Sequence, residues 1–79
     1  MGGRGKVMSL TECNVGDQAE VVNFETDKKR LINKLSIFGV VRGAQLQLLQ
    51  KGATYVVLCE QLEFAIDEAI AGTILVHKI

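Results

Sequence analysis

Three side chains in this 79-residue sequence have the types needed for nucleophilic or metal chemistry: Cys13, Cys59 and His77. A hydrolytic site needs a nucleophile, a base and an acid that orients the base. A transition-metal site needs several nitrogen, sulfur or oxygen ligands grouped together. The two cysteines have no CxxC spacing, and the single histidine has no partner close to it in sequence. We therefore expect two reduced, partly buried thiols, with no catalytic residue and no cofactor. Cys59 and His77 stay as the candidate metal ligands, on condition that the fold brings them together.

The remaining motifs for chemistry are equally sparse. The acidic residues stand singly except for Asp67-Glu68, which precede a helical turn where carboxylates complement the helix dipole. No G-x-x-x-x-G-K-[ST] loop is present, so nucleotide binding by that route is not expected. These patterns predict a protein that is not an enzyme.

Composition limits the classes of partner. Nine basic residues balance nine acidic ones, which argues against a free-standing nucleic-acid-binding protein, whose affinity comes largely from Lys and Arg on phosphates. No apolar run approaches the ~18 residues of a membrane span, and no signal-peptide core follows the N-terminus. We expect a cytoplasmic protein without membrane insertion. Residues 1–7 are predicted to be a flexible tail, and residues 8–79 a single domain.

A cluster of basic residues carries the one pattern that conflicts with local physics. Lys28, Lys29 and Arg30 are predicted in the first turn of a helix, where the dipole already supplies partial positive charge. With Lys34 they surround the apolar Ile37, an arrangement like the core and rim of a protein interface. The cluster predicts a docking surface for an acidic partner. A solvated basic face is the alternative.

A second candidate surface follows the same helix. The segment Val40-Val41-Arg42 places two β-branched residues beside a glycine turn. Either these residues form an exposed apolar tip for a partner, or they pack under the predicted barrel.

One helix and two helical turns are predicted to position these surfaces. Thr26 or Asp27 can cap the helix, which runs to Phe38 and stops at Gly39. Its apolar residues fall on an arc about 120° wide, enough to bury one side. A capping box at Ser9-Leu-Thr-Glu12 begins a helical turn over residues 10–14, and Asp67 caps another that ends at Gly72.

The rest of the chain alternates in the manner of strands. Five are predicted, at residues 18–24, 44–50, 54–59, 61–66 and 73–78. Short strands at near-even spacing predict a mostly β fold, a small SH3-like five-stranded barrel with one α-helix after the first strand and short helical turns.

The order of these motifs resembles the FeoA family, the ferrous iron transport A proteins. The resemblance rests on five segments, at residues 10–16, 19–22, 30–35, 38–43 and 69–76. It implies an SH3-like barrel and a cytoplasmic accessory role beside FeoB, a membrane transporter with a G-domain that moves ferrous iron. The hairpin around Glu60 departs from the family because it lacks a glycine.

Related domains leave alternatives open. Metal-dependent repressors of the DtxR type carry a similar domain at their C-terminus. The chain could thus be an orphan FeoA-like regulatory domain that docks on a metal-responsive repressor, or one that binds a transition metal itself. Weak homo-oligomerisation also stays open.

Overall fold

Residues 6–79 are described by a computed structural model of the chain, and they form one antiparallel sheet with one main helix. The elements along the chain are β1 (Met8–Ser9), β2 (Gln18–Phe24), α1 (Lys29–Ile37), β3 (Gln45–Gln50), β4 (Thr54–Cys59), β5 (Leu62–Asp67), α2 (Glu68–Thr73) and β6 (Ile74–Lys78). The strand order is β1-β6-β2-β3-β4-β5. No helix within residues 6–79 has the length and apolar character needed to cross a bilayer.

The mostly β fold with one helix after the first long strand is confirmed, but the predicted five-stranded barrel is not. The sheet has six strands, and β1 and β5 lie at its two edges without pairing to each other within residues 6–79. The additional strand, Met8–Ser9, pairs with Val76 and Leu75. Two residues are too few to show an alternating pattern, which is why the sequence did not reveal this strand. Of the predicted tail, Lys6 and Val7 precede β1 and are exposed, and residues 1–5 lie outside the described residues.

Alternation along the strands builds the core. Leu46 and Leu48 of β3 are buried, and so are Tyr55, Val57 and Cys59 of β4, while their sequence neighbours are half-buried or exposed. Since successive side chains of a strand point to opposite faces, β3 and β4 present an apolar face to the core. Beside it are buried residues of the other elements, namely Leu10, Ala19, Val21, Leu35, Ile74 and Val76.

Two of the predicted helix starts are confirmed. Ser9 and Glu12 form a capping box on a 3-10 turn at Leu10–Glu12, and the Asp67 carboxylate accepts the Ile70 N–H at 2.7 Å at the start of α2. Both starts therefore satisfy backbone N–H groups that a helix end would otherwise leave without partners.

The predicted cap of α1 is wrong. The helix begins at Lys29, with Lys28 as its N-cap, and no side chain caps it. The Thr26 hydroxyl instead accepts the Lys28 N–H at 3.1 Å, because Thr26 lies two residues before the N-cap position. Thr26 and Asp27 have suitable side chains, but they lie in the loop between β2 and α1, before the N-cap position.

The end of α1 is a Schellman motif. Gly39 has φ of +88°. The Gly39 N–H donates to the Ser36 carbonyl and the Val40 N–H to the Leu35 carbonyl, both at 3.0 Å. Such a motif brings the residue after the glycine against the last inward turn of the helix, and Leu35 and Val40 are both buried. The predicted stop at Gly39 is thus confirmed, with Phe38 as the C-cap rather than the last helical residue.

The hairpin between β4 and β5 turns over only two residues, Glu60 and Gln61, because Cys59 pairs with Leu62. Glu60 has φ of +60° and is the one residue other than glycine in residues 6–79 with a positive φ. A positive φ at the first central residue alone is the pattern of a type II′ turn, which favours glycine there. Glu60 therefore occupies the position where a glycine would be expected, and its backbone is strained there because it has a Cβ atom.

Replacing Glu60 by Gly is expected to stabilise the protein. The left-handed conformation destabilises a residue with a Cβ atom by about 1–2 kcal/mol, and Gly relieves this strain. The greater flexibility of Gly in the unfolded chain offsets about 0.5–1 kcal/mol of that stabilisation. We expect the free energy of unfolding in urea to rise by about 0.5–1 kcal/mol. Glu60→Ala is the matched control, because it removes the same charge without relieving the backbone. An equal rise in both variants would assign the effect to charge and contradict the strained turn.

Candidate protein-interaction surface

The two candidate metal ligands do not come together. Cys59 of β4 pairs with Leu46 of β3, whereas His77 of β6 pairs with Glu20 of β2, so the two residues lie on strands separated by two others. They also point to opposite faces, since Cys59 shares a face with the core and His77 alternates with the buried Val76. Within residues 6–79 no group of three His, Cys, Asp or Glu side chains could hold a metal ion.

His77 has a structural environment that the sequence did not reveal. It is 8% exposed, and its Nε2 lies 3.3 Å from the Glu20 Oε1. Its Nδ1 is buried and has no hydrogen-bond partner among the described residues. The pairing follows from strand register, so no local sequence signal identifies Glu20 as the partner.

Both thiols are core groups. Cys13 and Cys59 are each 1% exposed and are not joined to each other. Burial raises the pKa of both thiols, and the nearby carboxylates of Asp17 and Glu60 raise the pKa of Cys13 and Cys59 respectively. The Cys59 thiol also donates to the Gly39 carbonyl, with Sγ 3.5 Å from the oxygen. Because the thiolate is the form that attacks electrophiles and binds metals, these side chains are suited to packing.

The outer side of α1 carries the exposed residues singled out from the sequence. Ile37 is 80% exposed, more than any other large apolar side chain of residues 6–79. Arg30, Asn33 and Lys34 stand seven, four and three residues before it, so they share its side of the helix. Lys29 lies at the margin of this side of the helix. Lys28 is the N-cap, directly before the first helical residue, and both lysines are exposed. We define the basic helix face as Lys28, Lys29, Arg30, Lys34 and Ile37.

The start of α1 is unfavourable for stability in two ways. Lys28 at the N-cap provides no side-chain acceptor, and a good cap is worth about 1 kcal/mol. The first turn holds no acidic residue, and each basic side chain there opposes the dipole by a few tenths of a kcal/mol. A local rule broken without a compensating contact is more common at functional sites.

In the loop after α1, Val40 is buried, whereas Val41 and Arg42 are exposed. Val40, considered as part of an exposed tip, is only 1% exposed because the Schellman motif turns it against Leu35. It therefore leaves the candidate surface. Val41 is 46% exposed, and Arg42 is also exposed, with its Nη2 donating to the Asn23 Oδ1 at 3.0 Å.

Charge is segregated along the chain. Residues 24–42 carry five basic and two acidic side chains, a net charge of +3, and the rest of the chain carries a net charge of −3. The overall neutrality therefore conceals a positive helix and loop that would attract a negatively charged surface.

Comparison with known proteins identifies the domain. The family model described as the FeoA domain matches residues 8–78. A crystal structure of an iron uptake regulatory protein (FeoA) is 30% identical in sequence to this chain. The match covers 94% of this chain and 99% of that protein, with a TM-score of 0.85. The FeoA protein of Chlorobium tepidum is 31% identical. The match covers 91% of this chain and 70% of that protein, with a TM-score of 0.82.

More distant structures share the fold alone. IdeR of T. acidophilum has a TM-score of 0.86, but it is 18% identical and only 34% of its chain is covered. No curated protein matches the chain.

Installing a cap at the start of α1 should stabilise the protein. In Lys28→Ser the hydroxyl can accept an N–H of the first turn, and a cation is removed from the positive end of the dipole. We expect the free energy of unfolding in urea to rise by about 1 kcal/mol. Lys28→Ala removes the same charge without providing an acceptor and should gain only a few tenths. A Ser variant no more stable than the Ala variant would show that the start of α1 does not lack a cap in solution.

Proposed function

Because the chain belongs to the FeoA family, we propose that it is a non-enzymatic accessory protein of ferrous iron uptake, located in the cytoplasm. It acts by binding the cytoplasmic side of a FeoB-type transporter with a G-domain. The observation that carries the proposal is the basic helix face, with Ile37 exposed at its C-terminal end.

The composition of this face favours a protein partner over a small molecule. An exposed apolar side chain that shares a helix face with Arg30 and Lys34 provides the apolar and charged groups that form the core and rim of a protein interface. Ile37 gives little to the stability of the isolated chain, because it is 80% exposed. Burying it against a partner would remove apolar surface from water at roughly 25 cal/mol per Å².

The non-enzymatic part of the proposal is supported by the state of the reactive side chains. Both thiols are buried with raised pKa values, and the imidazole is buried against Glu20. The two thiols therefore pack in the core, and the His77 imidazole pairs with Glu20. What α1 presents outward is basic charge, the neutral polar side chains of Asn33 and Ser36, and the apolar side chain of Ile37.

A protein of this kind changes a partner by selecting one of its states. Binding shifts a conformational equilibrium only as far as the affinities for the two states differ. The proposed effect on transport is therefore a preference of the basic helix face for one nucleotide state of the transporter.

Charge reversal on the helix should test the interface. We expect the double variant Lys29→Glu, Arg30→Glu to lose most co-purification with the FeoB-type transporter encoded in the same genome. Binding of the unmodified chain should also weaken with added salt, because exposed charges are screened within about 10 Å at 0.1 M. Both effects follow from attraction between the basic face and an acidic surface.

The control changes net charge equally at another place. Lys6→Glu, Lys51→Glu alters two exposed lysines outside the helix and should retain binding. Its melting temperature must be compared, because Lys51 donates to the Cys13 carbonyl at 2.9 Å. Unchanged co-purification of the helix variant would remove this face from the proposal. Recovery of a metal-responsive repressor in place of the transporter would favour the regulatory alternative.

A further inference from the structure

A cleft of about 450 Å³ lies between α1, the end of β2 and the loop that follows the helix. Its apolar lining consists of Phe24, Ile32 and Val41, with the buried Val40 beneath them. This volume falls within the ~300–1,000 Å³ typical of ligand sites.

The cleft is separate from the basic helix face. Ile32 and Ser36, one turn apart, are the residues of α1 that line it. Ile32 stands five residues before Ile37, which places the two side chains about 140° apart around a helix of 100° per residue. A partner segment in the cleft therefore makes contacts that the basic face does not provide.

One cation stands at the edge of the cleft. Arg42 lines it together with Asn23, and the Arg42 Nη2 donates to the Asn23 Oδ1 at 3.0 Å. The guanidinium has five N–H donors, so this contact leaves several for a carboxylate, which it can bind through two parallel hydrogen bonds. Glu25 and Asp27 precede the helix but do not line the cleft.

From these contacts we infer that the cleft binds a short acidic segment of a partner protein. One aliphatic side chain of the segment enters between Phe24, Ile32 and Val41, and a neighbouring carboxylate pairs with Arg42. Arg42 is the charged side chain among the described residues that line the cleft, so the cleft favours an acidic segment over a basic one. The inference rests on the proposed function only in that the chain acts by binding another protein.

The test uses NMR of the 15N-labelled chain with a synthetic peptide that carries one Leu flanked by Glu residues. We expect saturable shifts at the amides of Phe24, Ile32, Val41 and Arg42. Val41→Asp should weaken binding at least about tenfold, since it places a carboxylate in the apolar lining. Arg42→Gln should weaken it and reduce its salt dependence.

Matched controls separate the cleft from the helix face. Lys34→Gln removes a cation from the basic helix face and should bind the peptide as the unmodified chain does. Peptides with Leu replaced by Ala, or with Glu replaced by Lys, should bind more weakly. Val41 and Arg42 are both exposed, so the variants should keep the melting temperature of the parent.

Several results would overturn the inference. These are the absence of saturable shifts around the cleft, equal binding of the Lys peptide, or unchanged binding by Val41→Asp. Cleft shifts that grow with protein concentration and without peptide would assign the cleft to a second copy of the chain. Transporter co-purification without peptide binding would reject the cleft alone, and peptide binding without co-purification would reject the proposed function alone.

Discussion

The end of α1 is the constraint on which the exposed surface depends. The Schellman motif at Gly39 sets Val40 against Leu35, and both side chains enter the core. The ring of Phe38, at the C-cap, stacks on Phe64 of β5 with centroids 4.8 Å apart and ring planes 14° apart. A side chain at position 39 would be strained at φ of +88°, and its Cβ would lie 3.5 Å from the Cys59 Sγ. The helix is thus fixed to the sheet by its C-terminal end.

Because the C-terminal end of α1 is fixed to the sheet, the residues on the opposite side of the helix face solvent. With Leu35 and Phe38 directed at the sheet, Ile37 and the basic residues before it must point to solvent. The helix start has the opposite character, because it lacks a side-chain cap and gathers positive charge. The same helix therefore combines a well-packed end with a start whose residues cost stability. Such a division is understandable if the start is retained for contact with a partner.

Much of this arrangement could be predicted from local sequence, and the misses have physical causes. Capping residues and alternation depend on neighbours in the chain, so Asp67, the Ser9 capping box and the strand at Thr54–Cys59 were predicted correctly. The burial of Val40 and the separation of Cys59 from His77 depend on how distant segments meet, which periodicity does not describe. Val40 nevertheless had a local signal, an apolar residue directly after a helix-ending glycine. The His77–Glu20 pair had none.

The central claim is that the helix face, rather than an edge of the sheet, meets the partner. Hydrogen exchange measured by mass spectrometry, with and without the FeoB-type transporter in detergent, tests it most directly. We predict slower exchange over residues 29–37 and the loop at 40–43, with β5 unchanged. Protection confined to the edge strands, with α1 exchanging as in the free chain, would contradict the account.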